Sequence, residues 1–476
     1  MIPNVTEALA EYISGTSSEE LSNEVISKTK QCLIDWLGCA LAGSQEEIGK
    51  IFGEIAVQDS HCEDATVFGR SERSSVLMAA LANGASSHIL ELDDTHRGAV
   101  YHPGAVVIPA ALALGEKMQI SGLELIGAIA VGYDVSIRIG EGIGLSHYQY
   151  WHTTATCGHF GAAAASSKIL ALTRQQALDA LGNAGTQASG LWQFLPDGAM
   201  TKPLHPGKAA ADGLLAALLA QRGFTGPGHI LEGERGFCRA TSTDYDLNRM
   251  IAGLGEHPKI LEVSFKPYPS CRHTHSALDA ALQIRNRDKL DYRSITKITV
   301  HTYQTAIDIA GRKDDYPPKT PTQAKFCLPY CIAAALKHGK LDLDQFSNAA
   351  LEDREILALA DRVTLQVSEK FNQSYPASWC CRVEITTRAG QELSCDIQYP
   401  KGDPENPLTL QEVEGKFRKL AGSTWSDNQI TGFLREVSEL ENINDVSVLC
   451  SPENQERRMR RLEQQLTKQE SPAEQS

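Results

Sequence analysis

Ile298-Thr299-Val300-His301-Thr302 decides the fold, because apolar residues recur there at every second position. A period of two puts Ile298, Val300 and Thr302 on one face of a strand. Val363-Thr364-Leu365-Gln366-Val367 repeats the pattern, and Val383/Ile385 and Leu393/Cys395/Ile397 flank a turn at Ala389-Gly390. With a helical segment over Thr322 to His338 among them, these strands predict an α+β domain over residues 266–400.

Working outward, residues 1–265 read as helical. Gln31 to Ala42, Ser75 to Ala82, Leu123 to Ile139 and Ala162 to Ala171 are rich in Ala, Leu, Ile and Gly. Thr173-Arg174-Gln175-Gln176 is a capping box, and Gly223 closes a helix that begins near Lys208. Beyond Pro407, helices are expected over Thr409 to Leu420 and Asp427 to Leu440. The predicted fold is mainly α with an α+β second domain: a large discontinuous helical domain (1–265 and 401–451) and a smaller α+β lid (266–400). At 476 residues the chain is too long for one ordinary core. Residues 452–476 are almost wholly polar and charged, and a solvated or disordered tail is expected.

A net charge of −14 argues against nucleic-acid or membrane-surface binding, both of which need a broad positive footprint. No apolar run reaches the ~20 residues that span a bilayer. No targeting pattern is visible at the N-terminus, so a cytoplasmic protein is expected. The twelve cysteines contain no CxxC pair, which supports neither a zinc ribbon nor a locally ligated iron–sulfur cluster. Most are expected to pack in cores, and no metal or other cofactor is expected.

Three polar clusters stand out. Glu91-Leu92-Asp93-Asp94-Thr95-His96 to His102-Pro103-Gly104 crowds carboxylates and imidazoles together, at a folding cost unless something uses them. Met200 to Lys208 and Phe265 to His275 are basic. Together they suggest proton transfer on an anionic substrate. His152 precedes an Ala-rich helix, where backbone N–H groups and the helix dipole favour an anion. Taken singly, each residue has a plainer reading as a packed histidine, a solvent-exposed lysine or a helix cap.

The strings Asp-Asp-Thr…His-Pro-Gly-Ala-Val, Thr-Lys-Pro-Leu-His-Pro-Gly-Lys-Ala-Ala and Phe-Lys-Pro-Tyr-Pro-Ser-Cys-Arg-His-Thr-His resemble the MmgE/PrpD family over residues 5 to 450. That family includes 2-methylcitrate dehydratase, cis-aconitate decarboxylase and iminodisuccinate epimerase. The resemblance implies a metal-independent, usually homodimeric enzyme with a helical domain and an α+β lid. Thr-Lys-Pro-Leu-His is nearer the decarboxylase and epimerase branches. Carried over by motif, the site falls on Thr95, His102, His152, Lys202, Lys266 and Tyr330. Glu91 stands where the decarboxylases have Asp, and Cys271 where they have His.

Dehydration, decarboxylation and epimerisation of a polycarboxylate share an enediolate-like intermediate and a proton transfer at carbon. His102 suits the acid/base, oriented by Glu91 or Asp93, and Tyr330 or Cys271 suits a second proton donor. Lys202, Lys266, His152 and Thr95 suit the carboxylates, with Asp93 and His275 also placed in the binding set. Decarboxylation of a cis-aconitate-like acid leads; epimerisation and alkylcitrate dehydration are the alternatives, and a non-catalytic helical binding protein is the outsider. Eight residues, Glu91, Thr95, His102, His152, Lys202, Lys266, Cys271 and Tyr330, are expected to line one pocket.

Overall fold

The computed structural model describes residues 3–58, 60–311 and 316–450. The tail expected at 452–476 lies outside the described residues. Most of the larger part is built from the helices Asn23–Ser44, Val76–His88, Gly104–Met118, Gly122–Gly142, Thr153–Ile169 and Leu204–Gln221. Gly122–Gly142 and Thr153–Ile169 are buried on nearly every face, as apolar helices without a polar stripe must be. Thr173 forms the expected capping box with Gln176.

Leu204–Gln221 starts four residues before the expected Lys208, because Pro206 falls in its first turn, where a missing N–H costs nothing. It lies against Val76–His88. A Cβ at Gly207 would stand 2.4 Å from the carbonyl oxygen of Leu81, so this approach requires glycine.

Leu410–Ala421 and Asp427–Ser438 fold back onto Asn23–Ser44. Phe417 and Phe433 meet at 5.0 Å in a core shared with Trp36 and Leu37, and the Lys416 ammonium lies 2.7 Å from the buried Asp35 carboxylate. Helix Asn23–Ser44 and the C-terminal segment through Cys450 therefore share one hydrophobic core. A second core draws its buried members from between residues 277 and 397.

That second core lies against a four-stranded sheet in the order Val363–Val367, Ile295–Thr302, Cys381–Thr387, Glu392–Ile397. The first pair is parallel and the others antiparallel. Cys381–Thr387 alternates strictly between buried and half-buried positions, as a central strand with one covered face should. Val363–Val367 is an edge strand and more open than its alternation predicts, with Val367 46% exposed. Helix His275–Arg287 covers the Cys381–Thr387 and Glu392–Ile397 strands and packs on Leu328–His338. The helix expected over Thr322 to His338 is two helices, Pro321–Lys325 and Leu328–His338. Pro329 lacks the N–H that a continuous helix would donate to the Lys325 carbonyl. Among the described residues, no helix is long and apolar enough to cross a membrane.

Candidate active site

The segment from His88 to Gly104 is a loop folded on itself. His96 and Tyr101 exchange backbone hydrogen bonds of 2.7 and 3.2 Å, and Thr95 exchanges bonds of 2.9 and 2.8 Å with Ser264. The second pair brings Lys266 beside the loop although 170 residues separate them in sequence. Asp94 is buried and accepts from the Tyr133 hydroxyl at 2.8 Å and the Gly104 N–H at 2.9 Å. A Cβ at Gly104 would lie 2.7 Å from that carboxylate, which accounts for glycine after Pro103. Burial and nearby Asp35 push the Asp94 carboxyl up to about 7.

Glu91 (φ 57°) and Val100 (φ 47°) adopt left-handed backbone. That conformation costs about 1–3 kcal/mol in a non-glycine residue, and is rarest in β-branched ones. Both residues line the same pocket, so the fold holds strain at the site.

His102 is fixed in one tautomer. Its Nδ1 faces the Asp94 carbonyl oxygen at 2.8 Å and Asp93 Oδ2 at 3.1 Å. The carbonyl and the ionised carboxylate are both acceptors only, so Nδ1 carries the proton and Nε2 is left as a lone pair. Burial lowers the His102 pKa to about 4. The same Asp93 Oδ2 lies 2.7 Å from His88 Nδ1. Burial opposes the Asp93 charge, but His88, His102 and Lys266 hold its carboxyl well below the usual range. His152, at the N-terminus of helix Thr153–Ile169, meets His205 Nδ1 to Nδ1 at 3.1 Å. Burial lowers both imidazoles, His205 to about 4.

Two buried lysines converge on Glu91. Lys202 pairs with Oε1, while Lys266 lies 3.3 Å from Oε2 and 3.1 Å from the Glu91 carbonyl oxygen. Burial works against the Glu91 charge, yet the two ammonium groups hold its carboxyl well below the ordinary range.

The α+β part supplies the facing wall with Cys271, Arg272, His273, Phe326 and Trp379. Burial and the nearby Glu91 carboxylate push the Cys271 thiol up to about 11, so it is a neutral thiol. Arg272 is committed to Asp403 and to the Lys401 carbonyl.

The enclosed space is about 20 Å³, room for a single water. An outer cavity of about 740 Å³ lies between residues 145–150, 191–196, 305–309 and Tyr375. Tyr148 and Trp192 line both spaces, their rings 5.0 Å apart edge to face. The outer cavity and the enclosed pocket therefore adjoin at this aromatic pair.

Among the described residues, two sets of side chains group donors closely enough to share a cation: His88, Asp93 and His102, and His96, Glu141 and Glu262. In the first, both imidazoles hydrogen-bond the carboxylate; in the second, the Lys259 ammonium lies 3.0 Å from Glu141 and 2.9 Å from Glu262.

Six of the eight residues expected in one pocket line it, Glu91, Thr95, His102, His152, Lys202 and Cys271, and Lys266 lies behind Glu91. Tyr330 does not join them. Its hydroxyl donates to the Gln345 carbonyl oxygen at 2.6 Å within the second core. His275 is also elsewhere, with Nδ1 2.9 Å from Arg272 and Nε2 3.2 Å from the Ser270 carbonyl oxygen, so neither nitrogen is free. Asp93 stands behind His102 instead of facing the pocket, and it, not Glu91, orients that imidazole. Sequence reading missed His88, His205, His273, Tyr148, Trp192 and Trp379. His205 and His273 were visible inside the basic clusters, whereas nothing local marks His88 or the aromatic residues.

Fold and pocket together define a two-part, mainly helical protein whose imidazoles, lysines and carboxylates suit proton transfer on a small anion. The chain belongs to the MmgE/PrpD family: residues 7–250 match its N-terminal domain and residues 268–440 its C-terminal domain. It is 28% identical to cis-aconitate decarboxylase-like protein oryM of Aspergillus oryzae, covering 94% of this chain and 97% of that one. It is 27% identical to cis-aconitate decarboxylase of Homo sapiens, over 95% of each chain. Similarity to 2-methylcitrate dehydratase of Salmonella typhimurium is 23% and covers 78% of this chain and 80% of that one.

Proposed function

We propose that this chain is a carbon–carbon lyase that decarboxylates a cis-aconitate-like unsaturated tricarboxylate by acid/base catalysis without a metal. The observation that carries this reading is the His102 imidazole, its tautomer fixed by Asp93 and the Asp94 carbonyl, in a pocket with two buried lysines. Similarity along nearly the whole chain to proteins named as cis-aconitate decarboxylases supports it.

In such a reaction the bond from the methylene carbon to its carboxylate breaks and its electron pair forms a new double bond. The original alkene pair moves onto the far carbon and into the adjoining carboxylate, as an enediolate. A proton delivered to that carbon completes the change, so one proton is consumed and CO₂ leaves. In this reading His102 gives that proton from Nε2, while Lys202 and Lys266 hold carboxylates and the developing charge.

The free pocket keeps its imidazoles neutral at pH 7, so the proton must arrive with the substrate. A polyanion beside His102, His152 and His205 raises their depressed pKa values, and binding takes up protons. Calorimetry of cis-aconitate binding near pH 7, in buffers of different ionisation enthalpy, is expected to show net proton uptake and an affinity that falls as pH rises. Uptake of zero would remove this proton source.

Incubation with cis-aconitate, 2-methylcitrate and iminodisuccinate in D₂O containing EDTA, followed by NMR, tests the reaction. CO₂ release from cis-aconitate with one deuteron in the new methylene group is expected. Deuterium wash-in without CO₂ or a new alkene would replace the lyase by an epimerase, a reading that the neutral Cys271 thiol in the same pocket as the bare His102 Nε2 favours as second choice. The same proposal includes a lid at residues 266–400, a homodimer and a cytoplasmic setting.

A further inference from the structure

We propose that His273 and Trp379 form a second substrate-binding wall, a pair of N–H donors for the carboxylate whose oxygens take up the enediolate charge. This rests on the lyase reading above. Cys271 lines the pocket, but a thiol is a weak donor. The pocket nevertheless contains an imidazole from the same segment, two residues further on.

His273 is 5% exposed and Trp379 3%. Their rings stack at 4.3 Å with planes 8° apart. His273 Nε2 and Trp379 Nε1 are both buried without a hydrogen-bond partner among the described residues. Leaving a buried polar group unpaired costs about 1–3 kcal/mol, and two on one pocket wall ask for an acceptor. The indole nitrogen is a donor only.

The imidazole becomes a donor through Tyr303, whose hydroxyl lies 2.7 Å from His273 Nδ1. No other acceptor for that hydroxyl is found among the described residues. The phenol therefore donates to Nδ1 and leaves the ring proton on Nε2. Burial, with the Lys266 charge, lowers the His273 pKa to about 3, so the ring stays neutral. Two neutral donors on residues that line a dry pocket suit an anionic oxygen, and the lysines of that pocket are already shared with Glu91.

His273→Phe keeps the stacked ring and removes both nitrogens. Turnover of cis-aconitate is expected to fall about 10²–10³-fold, chiefly in kcat, with the melting temperature little changed. His273→Gln, which retains an N–H donor, is expected to restore at least about tenfold of that loss, and Tyr303→Phe, which frees the tautomer, to lower kcat with KM nearly constant. Binding of tricarballylate, a saturated and unreactive tricarboxylate, is measured alongside and is expected to weaken about tenfold in His273→Phe. Wild-type kcat in His273→Phe, or a His273→Gln as impaired as the phenylalanine variant, overturns the donor role. His102→Ala assayed in parallel separates the two claims: loss there with full activity in His273→Phe rejects only this inference. A wild-type protein that neither turns over cis-aconitate nor binds tricarballylate rejects both.

Discussion

His102→Ala is expected to lower kcat by about 10²–10⁴-fold while leaving KM within a few-fold of wild type, because it removes the proton carrier and little ground-state binding. The expectation follows from the one-sided bonding of the ring. Nδ1 is held at 2.8 Å by a carbonyl and at 3.1 Å by Asp93, so the remaining nitrogen is the one available to a substrate. Asp93→Asn is expected to lower kcat less severely, since the Asp94 carbonyl still selects the tautomer. Steady-state kinetics with product NMR checks both. Wild-type kcat in His102→Ala would remove this residue from the chemistry of any reaction assigned to the pocket.

The second large effect concerns the Lys202–Glu91–Lys266 cluster. Removing one partner of a buried ion pair leaves an uncompensated charge, a loss of about 3–5 kcal/mol. Lys202→Ala is therefore expected to raise KM strongly, lower kcat and reduce stability, and Glu91→Gln to destabilise through the two stranded ammonium groups. The pH sign follows from the depressed Glu91 carboxyl. Its contribution is fully present above the unfolded carboxyl pKa, about 4.3, and is lost only as pH falls through the lower folded value. Urea unfolding at pH 7 should separate Glu91→Gln from wild type by about this margin, and the gap should close only in strong acid. Equal midpoints at pH 7 would show that the cluster contributes nothing net to folding.

Local chemistry made much of the architecture legible. Strand periodicity located Ile295–Thr302, Val363–Val367, Cys381–Thr387 and Glu392–Ile397, since each pleats one face toward the same core. Capping residues marked helix starts at Thr173, and Thr409 and Ser426 cap the two C-terminal helices in the same way. Errors came where proline acted at a distance of one turn, splitting the helix at Pro329 and admitting Pro206 into the start of another. The site was legible where function is written in contiguous strings: Glu91, Thr95, His102, Lys202, Lys266 and Cys271 all lie in such strings.

The sequence by itself determined the two patterns of periodicity, the family resemblance and the residue types that the pocket uses, because these depend on neighbours within one turn or one strand. Only the tertiary structure decided which of those residues face the pocket. Tyr330 and His275 have the right chemistry, but their polar atoms are taken up by the Gln345 carbonyl, Arg272 and the Ser270 carbonyl. Trp379 lies outside the three polar strings and reaches the pocket from the α+β part, stacked on His273, while His88 closes onto Asp93 from the end of helix Val76–His88. Side-chain direction and hydrogen-bond competition are set by partners far away in sequence, so a motif can name a residue's chemistry without telling which way it points.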